Sequence, residues 1–253
     1  MCSIIAFVGR EGPQWRQTRR ILNELLLVSA LRGRDATGFY AVRDTAAQNI
    51  VTVKRPLPAD KFVAATPAWR GLGPCSVVLA HNRHATHGDP RDSRNNHPFV
   101  SDDGRYALVH NGVVADFREL AQRHRLRLKS QCDSEVLLRL VERYQCPLTG
   151  LSVALSQCRG SLAVAVYDWE KHVVWLTRNE RRPLAVCKLR GIDGWFVAST
   201  TELMTAALRP LLGKRVEAHV EVLLPLAAGS IAALRPNGSL ITAEDWSAQL
   251  ILF

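Results

Sequence analysis

The chain is short of several things that would otherwise have set its reading. No apolar run approaches the length needed to span a bilayer, and the N-terminus lacks the basic region and long apolar stretch of a secretory leader. A cytoplasmic location without membrane association is therefore expected. No Pro/Gly/Ser-rich linker, internal repeat or low-complexity tract divides the 253 residues. A single domain over 1–253 is expected, with 47% apolar residues enough for a sizeable core. The six cysteines, at 2, 75, 132, 146, 158 and 187, include no CxxC pair. Scattered thiols in a chain of this size read as buried side chains, not as a disulfide frame. Acidic charge is the scarcer sign: 33 Lys and Arg stand against 23 Asp and Glu, a formal charge of +10. The excess gathers at Arg16, Arg19 and Arg20, at Arg123, Arg125, Arg127 and Lys129, and at Arg178, Arg181 and Arg182. Such charge can attract nucleic acid or an acidic partner, but no nucleic-acid-binding motif accompanies it. Solvated surface is its default meaning.

What is present begins at Cys2. Methionine aminopeptidases trim Met1 when the next side chain is small, and trimming would leave a thiol and a free α-amine on one residue. The amine titrates near 8 and the thiol near 8.5. Such a cysteine is a candidate nucleophile whose general base is its own backbone nitrogen. The bland reading is a small residue opening the apolar strand Cys2–Val8.

Downstream, apolar residues at helical spacing predict a helix over 14–31, with Ile21, Leu22, Leu25, Leu26 and Leu31 on its inner face. A Gly-rich turn is expected at Arg32–Gly38, paired strands at Phe39–Val42 and Ile50–Val53, and a strand at Ser76–Ala80 leading into His81. The segment 84–98 reads as a loop. Tyr106–Val109 reads as a strand stopped by a turn at Asn111-Gly112, and three helices follow near 114–124, 133–143 and 148–157. Hairpins are predicted from Ser161–Asp168 with Val173–Thr177 and from Leu184–Lys188 with Trp195–Ala198. A capping box Ser199-Thr-Thr-Glu202 then opens a helix through Leu208. Strands at Val216–Leu224, Ser230–Leu234 and Ser239–Thr242 complete the pattern. The class is α/β (α+β), with two stacked sheets covered by helices.

Four polar segments interrupt these elements: Arg32–Gly38, His81–Gly88 with Asn96-His-Pro98, His110–Gly112 and Cys132–Glu135. Together they describe a pocket for a small zwitterion. Arg83 could fork onto a carboxylate. Asp133, where a helix N-terminus favours negative charge, could hold an ammonium. Asn111 and Gly112 offer a side-chain amide beside a backbone N–H, the makings of an oxyanion hole. With Cys2 as nucleophile, the chemistry is acyl transfer from a side-chain amide.

At this point the sequence resembles a family, the class II (N-terminal-nucleophile) glutamine amidotransferases. The matches run in order from Cys2 through Arg32-Gly33, Asp35 and Gly38, the His-x-Arg-x-Ala-Thr-x-Gly of 81–88, His97-Pro98, His110-Asn-Gly112 and Asp133-Ser-Glu135. Weaker ones continue to Glu202, so the resemblance covers almost the whole chain. The motifs look nearest to the glutaminase domain of glucosamine-6-phosphate synthase and stand-alone relatives. The resemblance implies a four-layer αββα sandwich of two antiparallel sheets and hydrolysis of L-glutamine through a Cys2 γ-glutamyl thioester. It implies oxyanion stabilisation by Asn111 and Gly112, and a carboxylate clamp of Arg83, Thr86 and His87. Asp133 would hold the amine, with Arg32, Gly33 and His97 in support. Neither cofactor nor metal is implied; an ammonia-accepting partner enzyme is. His84 stands where that branch often has an aromatic residue and Asp116 where it often has asparagine, and no acceptor domain is expected.

Three rivals stay open on sequence alone. His81, His84, His87 and His97 could form a metal cluster. The fold could serve an amidohydrolase acting on a γ-glutamyl or other amide. It could also carry a catalytically silent binding module.

Overall fold

A computed structural model describes residues 1–44 and 49–242. Thirteen strands and eight helices are described: β1 (Ser3–Gly9), α1 (Trp15–Ser29), β2 (Ala36–Asp44), β3 (Asn49–Arg55), α2 (Ala59–Ala65), α3 (Pro67–Arg70), β4 (Val77–Arg83), β5 (Phe99–Val100), β6 (Tyr106–Val114), α4 (Phe117–Arg123), α5 (Glu135–Tyr144), α6 (Pro147–Gln157), β7 (Gly160–Asp168), β8 (Val173–Arg178), β9 (Ala185–Leu189), β10 (Gly194–Ala198), α7 (Thr201–Leu212), α8 (Val216–His219), β11 (Val220–Pro225), β12 (Ile231–Leu234) and β13 (Leu240–Thr242). They form a seven-stranded sheet, ordered β11-β9-β10-β1-β4-β2-β3, and a six-stranded sheet, ordered β13-β12-β8-β7-β6-β5. All recorded pairings are antiparallel.

Three separate hydrophobic clusters define four layers. Alternate residues of β1 split between two of them: Ile5 and Phe7 face α1 and α7, while Ile4, Ala6 and Val8 face the other sheet. Period-two alternation with apolar residues on both faces is what a strand buried between a helix layer and a sheet requires. In α1, Ile21, Leu22, Leu25 and Leu26 are fully buried, each worth about 1.5–3 kcal/mol of transfer free energy. The third cluster lies beneath α4, α5 and α6, on the outer face of the six-stranded sheet. The layers are therefore helix, sheet, sheet, helix, as the resemblance implied. No described helix is long and apolar enough to cross a membrane.

The differences from the sequence reading are local. Leu31 lies beyond the end of α1 and is 87% exposed. Ala36–Gly38 belongs to β2, because Ala36, Thr37 and Gly38 pair with Arg83, Asn82 and His81. For the same reason β4 extends through Arg83. Asn111-Gly112 is not a turn: both residues continue β6, opposite Ala163 and Leu162 of β7. The Val216–Leu224 segment starts as the helical turn α8 before becoming β11. The cap of α7 is shifted by one residue. Thr200 accepts from the Leu203 N–H, and the Ser199 hydroxyl is instead taken by the Ile4 N–H.

Candidate active site

The site forms where β1 begins. β1 is flanked by β10 and β4, with Ser3 opposite Asn82. One step further the register sets Cys2 against Arg83 and the loop that follows. Cys2 is 8% exposed. Its thiol donates to the His84 carbonyl at 3.4 Å, and Sγ accepts from the His84 N–H at 3.3 Å. Burial pushes the thiol pKa up, with the His84 N–H, the nearby N-terminal amine and Arg83 pulling it down and Asp133 adding to the rise. Arg83 and Asp133 therefore both act on the sulfur, with opposite sign. No side-chain base is bonded to Sγ among the described residues.

Arg83 is 2% exposed. Its guanidinium donates to Asn96 Oδ1 at 2.8 Å, to the Gly88 carbonyl at 3.0 Å and to the His87 carbonyl. Three of its five donors are thus spent on shaping the 84–96 loop. Asp35, which the motif match contained but the candidate site did not, braces the same loop. Its carboxylate accepts from the Ala85 N–H at 2.7 Å and lies 3.7 Å from His84 Nδ1. The signal available for it was a lone acid between Gly33 and Gly38. Gly33 is required by close approach: a methyl there would meet the Arg83 carbonyl carbon at 2.6 Å. Arg32 supports the nucleophile segment. It donates from Nε to the Cys2 carbonyl at 3.2 Å, fixing the N-terminal segment directly.

The second half of the site comes from the other sheet. His81 Nε2 is bonded to the His110 carbonyl at 2.8 Å, which lays the end of β6 over the end of β4. His110 in turn contacts Ser134 Oγ at 2.8 Å through Nδ1 and the Ser161 carbonyl at 3.3 Å through Nε2. Asn111, the next residue, is 1% exposed, and neither its Oδ1 nor its Nδ2 has a partner. Gly112 admits no side chain, since a methyl there would overlap the Ser161 carbonyl oxygen. Asp133, 1% exposed, accepts from the Val114 N–H at 2.7 Å through Oδ2. Its Oδ1 lies 3.6 Å from His87 Nδ1, too far for a hydrogen bond, and that ring nitrogen has no partner. Thr86 is exposed on the same loop.

His97 is buried and stacks on His81 with ring centroids 3.9 Å apart, and both its nitrogens lack partners. Burial lowers the His81 pKa to about 3, and holds those of His97 and His110 below the ordinary imidazole value. All three rings are neutral packing and orienting groups. The imidazoles of His81, His84 and His87 are turned to different partners. His81 turns to a carbonyl, His84 toward Asp35 and His87 toward Asp133, and the described residues hold no cluster of three or more candidate ligands. Asp116 accepts from the Arg159 N–H at 2.8 Å at the start of α4, a structural duty outside the site.

The family described as "Glutamine amidotransferase domain" matches residues 81–206. The chain belongs to the class II glutamine amidotransferase family. It is 37% identical over 194 residues to a glutamine--fructose-6-phosphate aminotransferase [isomerizing] of Thermus thermophilus, covering 74% of this chain and 30% of that one. It is 28% identical over 261 residues to the enzyme of the same description from Lactococcus lactis, covering 100% of this chain and 40% of that one. This family member thus spans 40% or less of those two relatives. Among solved structures, the glutamine phosphoribosylpyrophosphate amidotransferase from B. subtilis shares the fold. The TM-score is 0.73 at 18% identity, over 95% of this chain and 48% of that one.

Proposed function

We propose that this amidotransferase domain hydrolyses L-glutamine to glutamate and ammonia, and that residues 1–253 act as one glutaminase unit. What carries the reading is the state of Cys2. Its thiol is buried and hard to ionise, heads the central strand, and is bonded only to the backbone of His84. A nucleophile so placed needs a base, and no histidine or carboxylate is bonded to it. Removal of Met1 would supply one, because the Cys2 nitrogen would change from a peptide nitrogen to an amine with a basic lone pair.

The steps then follow. The α-amine takes the thiol proton, and sulfur attacks the side-chain carboxamide carbon of glutamine. The oxyanion is met by the Asn111 amide and the Gly112 N–H. The intermediate collapses, and the amine returns its proton to the departing ammonia. Water then cleaves the γ-glutamyl thioester and releases glutamate. The two uncommitted donors of Arg83, with Thr86 and His87, would hold the substrate carboxylate. Asp133 Oδ1 would hold the ammonium. The liberated ammonia would pass to an acceptor bound by a separate partner enzyme.

The decisive experiment treats the purified chain with 6-diazo-5-oxo-L-norleucine and maps the adduct by mass spectrometry. Glutaminase activity should vanish as Cys2, freed of Met1, becomes modified, and Cys2→Ala should be inert and unlabelled. Labelling of another cysteine with Cys2 intact would refute the mechanism. So would full activity in a form that retains a residue ahead of Cys2.

A further inference from the structure

The cationic run at Arg123–Lys129 is used neither by the fold's cores nor by the proposed chemistry. α4 stops at Arg123, and the chain reverses through Arg125, whose φ of 53° lies in the left-handed region, so that the Leu126 N–H returns to the Ala121 carbonyl at 2.8 Å. From Arg125 to Lys129 exposure alternates. Arg125, Arg127 and Lys129 are exposed, while Leu126 and Leu128 are partly buried against the outer core beneath α5 and α6. That period of two marks extended backbone, with cations on one face about 6.5–7 Å apart. Arg143, in the last turn of α5, joins them across a groove of about 430 Å³. Within the groove Lys129 is paired with Asp102 at 2.6 Å, and Arg139 with Glu135 and Glu142. Arg125, Arg127 and Arg143 have no carboxylate partner among the described residues. Nor, among those residues, do the backbone N–H and C=O groups of Arg127 and Leu128 take part in a hydrogen bond.

We propose that this exposed run is a docking site for an acidic segment of a partner protein, bound in extended form alongside it. Two independent features select that occupant. On the edge that faces outward at Arg127, that residue offers a free N–H and C=O, enough for one pair of main-chain bonds to an extended partner. Unpaired guanidiniums at every second residue match carboxylates at every second residue of a peptide with the same repeat. A nucleic acid fits less well, because no aromatic ring lines the groove for a base to stack on. The edge also has a direct line to the amine end of the candidate site. The N–H groups of Lys129 and Ser130 are held by the Glu135 carboxylate, and the Gln131 N–H by Asn95 of the 84–96 loop. A segment docked here would rest on the stretch that leads into Asp133. The inference does not depend on glutamine hydrolysis, and its test reads binding directly.

The test is fluorescence anisotropy of a labelled peptide of about ten residues alternating glutamate and valine, titrated with the full chain at low salt. Binding is expected, weakened at least about tenfold by the Arg125→Glu/Arg127→Glu double substitution. The same peptide N-methylated at alternate amides should bind at least about tenfold more weakly, since it keeps the charge but loses the main-chain bonds. Arg125→Gly should weaken binding while holding or raising the thermal midpoint, because glycine adopts the left-handed φ without a Cβ penalty. Absence of peptide binding would overturn the proposal. So would binding indifferent to charge reversal or to N-methylation, or displacement of the peptide by a more tightly bound oligothymidylate.

Discussion

Two groups of buried polar atoms meet at this site, and they are in opposite condition. At the end of β4 and on the loop after it, the guanidinium of Arg83 and the amides of Asn95 and Asn96 have partners within the fold. Within β6 the whole Asn111 amide has none, and on the loop after β4 His87 Nδ1, beside Asp133, has none. A buried amide left unpaired costs on the order of 1–3 kcal/mol. On the proposed mechanism, the satisfied bonds are scaffold, and the Asn111 amide is where glutamine would complete the hydrogen bonding. Arg83 and Asn111 are almost equally buried, at 2% and 1% exposed, so burial alone would not have separated them.

The sharpest way to break the comparison is Asn111→Ala. If Asn111 waits for an oxyanion, kcat for glutamine should fall about 10²–10³-fold with little change in KM. Thermal denaturation should show the variant as stable as the parent or more so. A variant that unfolds readily would place Asn111 with the scaffold instead. Arg83→Met probes the opposite group. It severs the ties to Asn96, His87 and Gly88 and should destabilise the fold by roughly 1.5–3 kcal/mol, the worth of a charge-assisted hydrogen bond. Chemical denaturation would measure this, and unchanged stability would mean that the loop holds its own shape.

The last test is in acid, where the effect builds up gradually with pH. His81, His97 and His110 are held neutral, with folded-state pKa values lowered from about 6.5. Unfolded imidazoles bind protons first as pH falls. Stability should therefore be full above about pH 6.5 and decline toward pH 3. The slope is about 1.4 kcal/mol per pH unit for each ring engaged. Denaturation midpoints across that range would report it, and a flat profile would show that the rings titrate normally.

Much of this was legible in the sequence because it was written in local alternation and ordered motifs. The two sheets, α1, and the convergence of Cys2, Arg83 and Asp133 follow from apolar periodicity and from the polar breaks between elements. What escaped depended on tertiary contact. Asn111-Gly112 reads locally as a turn, yet β7 lies alongside and Gly112 lets the two backbones close up at Ser161. α2 and α3 were missed because they are short and set off by Pro58 and Pro67, and each buries only one large side chain, Phe62 and Trp69. The bonded state of Arg83 was also invisible, since no spacing rule says which donors a loop will consume.

The two-sheet plan has a mechanical consequence. The sulfur and Arg83 ride on one sheet, while Asn111 and Asp133 are carried on the other sheet and its helix layer. On the proposed mechanism, the gap between nucleophile and oxyanion donors would be gauged by whatever props the sheets apart. Tyr40 and Tyr167, tilted against each other with ring centroids 5.9 Å apart in the inner core, act as such a shim. Trimming either ring would let the sheets settle closer and detune the reaction, although neither ring is bonded to any group of the site.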